Sequence, residues 1–188
     1  MVKFISMGLL LLLVSLPIQA QQGIRAVLGE DSLRFSYVTE AWGQEIGSLD
    51  VEVGVLATNT DNTTLLHMGV QVQHENQSAA LKLSVGGRVY YTNINNNDAA
   101  LIALGGDLLL SPESWAGFGI GTSYYTAPSV TTFSDADTFT EYSISMSYQM
   151  TPQAIIYFGY QRVSIQLKTE ANKRDLEKGS FLGIRIDF

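Results

Sequence analysis

Residues 140–150 read TEYSISMSYQM, and every second residue in this stretch is apolar. The apolar positions are Tyr142, Ile144, Met146, Tyr148 and Met150, with Glu141 and serines between them. Successive side chains of a β-strand point to opposite faces, so this pattern predicts a strand with one apolar and one polar face. A surface helix would instead repeat its apolar residues every three or four positions.

The same alternation recurs along the chain. It is clear in residues 49–57, 66–72, 79–91 and 182–188, and no stretch after Ala20 shows sustained helical spacing. Several candidate strands are long enough to cross a bilayer, because a tilted membrane strand needs about 9–11 residues. The sequence therefore predicts an all-β fold, an antiparallel up-and-down transmembrane β-barrel.

The candidate connections alternate between short and longer stretches. Short turns at 111–114 and 151–153 contrast with polar stretches at 59–63, 93–98, 128–136 and 168–178. Transmembrane barrels have short periplasmic turns and longer outer loops, so this alternation favours a membrane barrel over a soluble sandwich.

Strand number and strand phase give finer predictions. Nine candidate strands begin near residues 33, 48, 64, 79, 99, 114, 138, 154 and 179, and a short one at 24–29 gives ten. Single-chain bacterial barrels have an even number of strands, so ten is favoured over eight. Residues 154–168 break phase at Gln161, which predicts a bulge near Gly159.

Tyrosine and tryptophan residues lie towards the ends of the candidate strands, as expected for the aromatic girdles of a membrane barrel. These residues are Trp42, Tyr90, Tyr91, Trp115, Tyr124, Tyr125, Tyr148 and Tyr160.

The first twenty residues have the layout of a secretory signal peptide. Lys3 is followed by the apolar run MGLLLLLVSL at 7–16, and Ala20 ends a plausible cleavage site. A retained transmembrane helix would need about 20 apolar residues, and this run is too short. We therefore expect residues 1–20 to be removed and residues 21–188 to form the barrel domain.

Composition excludes several classes of function. The net charge is −7 and the pI is about 4.7, so nucleic acid is not an expected partner. The absence of cysteine excludes disulfides, a thiolate nucleophile and cysteine-ligated metals. No catalytic or nucleotide-binding motif is present, and neither histidine has other potential metal ligands at a suitable spacing. The sequence predicts no enzyme activity, no cofactor and no metal site.

The alternation places ten charged or titratable side chains inside the predicted barrel. They are Asp50, Glu52, His67, Lys82, Arg88, Asp107, Glu141, Arg162, Arg185 and Asp187. They could form the selectivity lining of a pore or an ion-pair network that fills a narrow lumen. The filled lumen is favoured, because about eight strands leave only enough width for side chains, and unpaired buried charge is costly.

The last strand suggests how the chain reaches the membrane. Leu182, Ile184, Ile186 and Phe188 alternate with polar residues. This resembles the C-terminal signature by which the barrel-assembly machinery recognises bacterial outer-membrane proteins, so these residues are the expected assembly signal. Outer-membrane lipid and lipopolysaccharide are the other expected partners. The basic residues of 168–178 could pair with lipopolysaccharide phosphates, although an ordinary solvated loop is favoured there.

Most of the mature chain also resembles the YfaZ family of small outer-membrane proteins. The matching residues are Tyr124, Tyr125, Pro128, Glu141, Tyr142, Pro152, Gly159, Tyr160, Arg162, Arg174, Gly179, Gly183 and Phe188, with the segment VYYTN at 89–93. The resemblance implies an outer-membrane barrel, sometimes described as porin-like, with no established substrate or reaction.

The leading hypothesis is a small bacterial outer-membrane barrel of structural or porin-like role. Two alternatives stay open at this stage. One is an outer-membrane enzyme that modifies lipid, and the other is a soluble periplasmic barrel that binds a hydrophobic ligand.

Overall fold

The computed structural model describes residues 22–44, 47–60, 63–76, 80–94, 97–169 and 172–188. The predicted signal peptide lies outside them. The strands are β1 (Gln22–Gly29), β2 (Ser32–Gln44), β3 (Gly47–Thr58), β4 (Thr63–Asn76), β5 (Leu81–Ile94), β6 (Asn97–Leu110), β7 (Phe118–Ala127), β8 (Thr132–Ser134), β9 (Ala136–Thr151), β10 (Ala154–Leu167) and β11 (Arg174–Asp187). Two short 3-10 turns occupy Glu113–Trp115 and Ser129–Thr131. Within the described residues, no helix has the length and apolar character needed to cross a membrane.

Ten of these strands form a closed antiparallel barrel. β1 to β7 pair in chain order, β9 follows β7, and β11 closes the circle by pairing with β1. The short β8 stands outside this order and pairs only with residues 99–101 of β6. The predicted all-β barrel and its ten strands are confirmed.

The two ends of the barrel differ in what they carry. The backbone N–H of Gln22 donates to the carbonyl of Phe188 at 3.2 Å, so both chain termini of the barrel meet at one end, here called the terminal end. The opposite end, here called the far end, carries the β1–β2, β3–β4, β5–β6, β7–β9 and β10–β11 connections.

The connection between β7 and β9 is long as predicted, whereas two other predicted outer loops are shorter than expected and the β6–β7 connection is longer. β5 continues to Ile94 and β6 begins at Asn97, so most of the predicted loop at 93–98 is strand. β11 begins at Arg174, inside the predicted loop at 168–178. Many strands are 14 residues long, whereas about 9–11 residues span a bilayer. Their polar ends therefore continue the ladder beyond the apolar layer.

The predicted bulge near Gly159 is also wrong. The pairing of β10 with both neighbours is continuous from Ile155 to Val163, and the register shifts lie near the ends of the strand. Gln161 shares a face with Tyr157 and Val163 because that face points into the barrel, whose interior is mixed in polarity. Tyr160 and Arg162 therefore point outward.

The outer surface of the barrel is apolar. Met68, Val72 and Leu182 are 55%, 61% and 60% exposed, whereas Glu52 and Arg88 inside are 6% and 4% exposed. In water this arrangement would leave a large apolar surface unburied. It suits a bilayer, where a closed barrel satisfies every backbone group internally. The chain is thus a β-barrel of the outer-membrane type, and the soluble alternative, which needs its apolar faces inside, is contradicted.

Candidate functional site

The interior of the barrel is arranged in three layers. A polar cavity lies towards the terminal end, a network of ion pairs crosses the middle, and an apolar cluster fills the far end. Every strand of the barrel contributes to these layers through its inward residues, because alternation gives each strand one inner face.

Glu141 of β9 is the central acceptor of the ion-pair network. Its carboxylate pairs with the guanidinium of Arg34, and its Oε2 accepts a hydrogen bond of 2.6 Å from the hydroxyl of Tyr90. Arg88 approaches the same carboxylate to 3.8 Å. Arg34 sits on β2 and Arg88 and Tyr90 on β5, so this contact joins opposite walls of the barrel.

Glu52 of β3 is the second acceptor of the network. Its Oε2 accepts a hydrogen bond of 3.1 Å from Arg88, while Arg25 and His67 lie 3.8 Å and 3.5 Å from its Oε1. Arg88 also stacks on Tyr125, with 3.9 Å from its Cζ to the ring centroid. A cation over an aromatic face is attracted by the ring quadrupole, so Tyr125 adds a neutral partner for this charge.

Glu177 of β11 is the third acceptor. It accepts hydrogen bonds from Ser32 and Gln161, and its other oxygen lies 3.7 Å from Arg34. Three arginines thus face three glutamates across a narrow lumen. Buried charges are tolerated when they are paired and hydrogen-bonded, and here each glutamate has at least two donors.

An apolar cluster closes the far half of the lumen. It comprises Leu56, Leu65, Tyr90, Ile94, Ala99, Leu101, Ala103, Tyr125, Ala127, Ala136, Phe139, Val163, Ile165, Leu167 and Leu176. The rings of Tyr90 and Phe139 pack with centroids 4.6 Å apart, and both side chains are fully buried. Because Tyr90 also binds Glu141, it links this cluster to the ion-pair network.

A cavity of about 230 Å³ occupies the terminal side of the network. Part of the wall carries only small, uncharged residues, namely Gly121 of β7 and Ser143, Ser145 and Ser147 of β9. Other parts carry charges and amides. Ser84 and Tyr125 donate to Asp107 at 3.1 Å and 2.9 Å, and Gln71 donates to Tyr125 at 2.7 Å.

The structure places nine of the ten predicted lumen residues inside the barrel. Glu52, His67, Arg88 and Glu141 belong to the ion-pair network. The cavity is lined by Asp50, Lys82, Asp107 and Arg185, and Asp187 accepts a hydrogen bond of 2.7 Å from Arg185.

Arg162 is the exception, and its predicted lumen position is wrong. Its side chain is 38% exposed on the outer face, where its Nε donates to Asp175 at 2.7 Å. The prediction followed from alternation, which put Arg162 on the face opposite the apolar Val163 and Ile165, but those two side chains are buried inside the barrel. With continuous pairing, Arg162 lies on the outer face and Gln161 on the inner one.

Several residues of the network were missed from the sequence. Arg25 and Arg34 alternate with outward apolar neighbours in β1 and β2, so the period-two rule could have found them. Tyr90 and Tyr125 were assigned to the aromatic girdles, yet Tyr90 is two residues from the inward Arg88 and must share its face. Glu177 was missed because residues 168–178 were predicted to form a loop, so no strand face was assigned to it.

The described residues contain no group of three or more histidine, cysteine, aspartate or glutamate side chains arranged to hold a metal ion. Chemically, the site is a set of paired charges beside a small polar cavity.

Comparison with solved structures gives several matches of low sequence identity. The outer-membrane channel DcaP of Acinetobacter baumannii has 11% identity over 87% of this chain and 54% of that chain, with a TM-score of 0.45. Neisserial surface protein A has 15% identity over 90% and 94% of the two chains, with a TM-score of 0.37. The NanC porin has 13% identity over 90% and 98%, with a TM-score of 0.43. The chain spans about half the length of DcaP.

Among curated proteins, none matches this chain. The family model described as YfaZ precursor matches residues 1–188, the whole chain. The resemblance predicted from short tyrosine and glycine motifs is therefore confirmed, and the chain belongs to the YfaZ family.

Proposed function

We propose that this protein is a small outer-membrane barrel that does not conduct, because its own side chains seal its lumen. The observation that carries the proposal is the apolar cluster in the far half of the barrel, stacked on the Arg34–Glu141–Arg88 ion pairs. Solutes entering the terminal cavity would meet first paired charges and then fully buried rings.

The size of the barrel supports this proposal. Barrels of about eight strands have interiors that side chains can fill, whereas porins of about 16–18 strands leave an aqueous channel. Ten strands lie near the filled end of that range. The charges are also mixed in sign and mutually paired, whereas a selectivity lining would present charges of one sign to the solute.

Single-channel recording in planar bilayers tests the seal. We expect no conductance steps from the wild-type barrel and steps from a Tyr90→Ala/Phe139→Ala variant, which removes two fully buried rings from the closed half. Phe158→Ala/Tyr160→Ala, on the outer face, is the matched control and should stay silent. Gel mobility before and after boiling shows that each sample is a folded barrel. Steps from the wild-type protein at the same reconstitution would refute the seal.

The proposed role includes no catalysis. Ser32 and Ser84 donate to Glu177 and Asp107, and Gln161 and Tyr125 also donate to these carboxylates, so we read both serines as structural donors. Outer-membrane lipids extracted from strains with and without the protein should have the same acyl-chain and headgroup composition. A reproducible change in either would favour the lipid-modifying alternative.

We also propose that residues 1–20 are removed on export, so that the mature chain begins at Gln21. Amino-terminal sequencing of protein from the outer-membrane fraction checks this directly. An intact Met1 on membrane-inserted protein would contradict it.

The last strand is proposed as the signal for the barrel-assembly machinery. Leu182, Ile184, Ile186 and Phe188 form one outward apolar row and are 60%, 37%, 47% and 61% exposed. Phe188→Ala should lower the amount of folded barrel in the outer membrane. Phe133→Ala is the matched control, since this exposed phenylalanine lies on β8, away from the row. Equal loss in both variants would indicate a general folding defect.

A further inference from the structure

The outer face of β10 changes character along its length. From the terminal end, its outward residues are Ile156, Phe158, Tyr160 and Arg162, which is a progression from aliphatic to aromatic to charged. An arginine on the lipid face destabilises a barrel by about 2–4 kcal/mol at the bilayer midplane and by about 0–1 near the interfaces. Arg162 therefore marks the depth at which the hydrocarbon core of the bilayer ends and the headgroup layer begins.

The neighbouring strands place a second cation and two tyrosines beside Arg162. Directly opposite Arg162 are Tyr142 of β9 and Lys178 of β11, and paired residues of an antiparallel sheet share a face. The rings of Tyr142 and Tyr160 lie 6.4 Å apart. These four residues, Tyr142, Tyr160, Arg162 and Lys178, are here called the basic patch.

The basic patch together with Asp175 keeps a net positive charge. Asp175 accepts from the Nε of Arg162, which uses one of the five N–H groups of the guanidinium. Lys178 is exposed, and the described part of the chain offers it no ion-pair partner. Glu30, between β1 and β2, accepts the backbone N–H of Ser180 at 3.0 Å.

The patch also borders a step in the barrel wall. β1 pairs with β11 only from Phe181 to Asp187, so the far part of β11, residues 174–180, rises above the β1–β2 turn. A headgroup can therefore approach Lys178 from the side as well as from the front. Below the patch, Ile144, Phe158 and Leu182 present apolar side chains that are 56–60% exposed.

We propose that the basic patch binds the phosphate groups of the outer-leaflet glycolipid, with acyl chains lying on the apolar residues below it. The inference rests on the proposed outer-membrane location, with the far end towards the outside. Arginine and lysine form charge-assisted hydrogen bonds with phosphate oxygens, and tyrosine is enriched at headgroup depth. The phosphate groups and the acyl chains thus each meet a complementary part of the surface.

Native mass spectrometry of the full mature chain, with added bisphosphorylated lipid A, tests this site. Arg162→Ala/Lys178→Ala should weaken lipid A binding about tenfold, the effect of losing charge-assisted contacts. Arg162→Lys/Lys178→Arg should restore it. The matched control is Lys168→Ala/Lys173→Ala, which removes the same charge from the neighbouring loop and should bind like the wild type. Dephosphorylated lipid A should bind all four proteins weakly and alike.

Three outcomes would overturn the assignment. One is equal lipid A binding by the wild type and the patch variant, and another is an equal loss in the loop variant. The third is that the patch variant loses phosphatidylglycerol binding by the same factor as lipid A binding, which would indicate a surface that binds any anionic lipid. Gel mobility on boiling separates these failures from a failure of the proposed function. A folded, membrane-inserted barrel that does not bind lipid A refutes only lipid binding by the basic patch. A protein absent from the outer membrane refutes the outer-membrane location itself.

Discussion

At the scale of single residues, Glu141 is an acceptor that three side chains of the ion-pair network share. Its carboxylate is the shared partner of Arg34, Arg88 and Tyr90, and its side chain is only 7% exposed. Both arginines are themselves almost fully buried, at 11% and 4% side-chain exposure. Removing this one acceptor leaves Arg34 with only Glu177, 3.7 Å away, while Arg88 keeps its hydrogen bond to Glu52.

Glu141→Ala should therefore destabilise the barrel by about 3–5 kcal/mol, the usual cost of removing one partner from a buried ion pair. Urea unfolding in phospholipid vesicles, followed by the fluorescence of Trp42 and Trp115, measures the change. Glu113→Ala, in the exposed turn before β7, is the control and should leave the midpoint unchanged. A Glu141→Ala midpoint equal to that of the wild type would mean that Glu52 and Glu177 can take over both arginines.

The sequence predicted single residues well where alternation was read from a correct strand. Glu52, Arg88 and Glu141 were placed inside because their strands show clear apolar neighbours. Which arginine meets which glutamate could not be predicted, because partners such as Arg34 and Glu141 are 107 positions apart and meet only across the closed barrel. Arg162 was misplaced by one face, since a one-residue error in phase inverts every side chain of a strand.

At the scale of strands, close packing depends on a glycine in β5. A Cβ on Gly86 would lie 2.1 Å from the carbonyl oxygen of Val70 and 2.8 Å from the Cα of Gln71 in β4. A Cβ on the adjacent Gly87, on the outer face, would meet only the Leu104 side chain at 3.4 Å and a carbonyl at 3.7 Å. Of these two neighbouring glycines, Gly87 has room for a side chain and Gly86 does not.

Gly86→Ala should lower the yield of folded barrel, because β4 and β5 must move apart to admit the methyl group. Gly87→Ala should fold normally, and it changes the same atoms one position away. The fraction of each variant that shifts in gel mobility on boiling measures folding. If both variants fold alike, the close approach at Gly86 is not needed for the barrel.

The connections show why the loops were harder to predict than the strands. Polar residues such as those at 93–98 are typical of loops, and composition alone cannot show that they continue a ladder past the bilayer. Backbone pairing with the next strand decides this, as in the Asn93 and Asp98 pair of β5 and β6.

At the scale of the whole molecule, the lipid-facing belt should have a measurable depth profile. Met68 and Thr64 both point outward from β4, with Met68 in the middle of the apolar run at 66–72 and Thr64 near the far end. Met68→Arg should destabilise the barrel by about 2–4 kcal/mol and Thr64→Arg by about 0–1. Unfolding in vesicles measures both. Equal effects would contradict the assigned position of the bilayer.

The global architecture was the most predictable part of the molecule. Ten strands, closure and an apolar exterior all follow from period two repeated along the chain, a pattern that local errors do not destroy. The layering of the lumen was not predictable in the same way. It depends on which inward residues reach the same height after strands tilt around the barrel, and a single sequence does not specify that tilt.

The cavity opens only at the terminal end, so its accessibility can show how the barrel is oriented in the membrane. The chain has no cysteine, so a thiol at Ser145 would be unique and would line the terminal cavity. Because the far half of the lumen is filled, reagents in only one of the two compartments would have access to that thiol. Labelling intact cells and broken cells with a bulky maleimide would then read out directly which compartment the termini occupy.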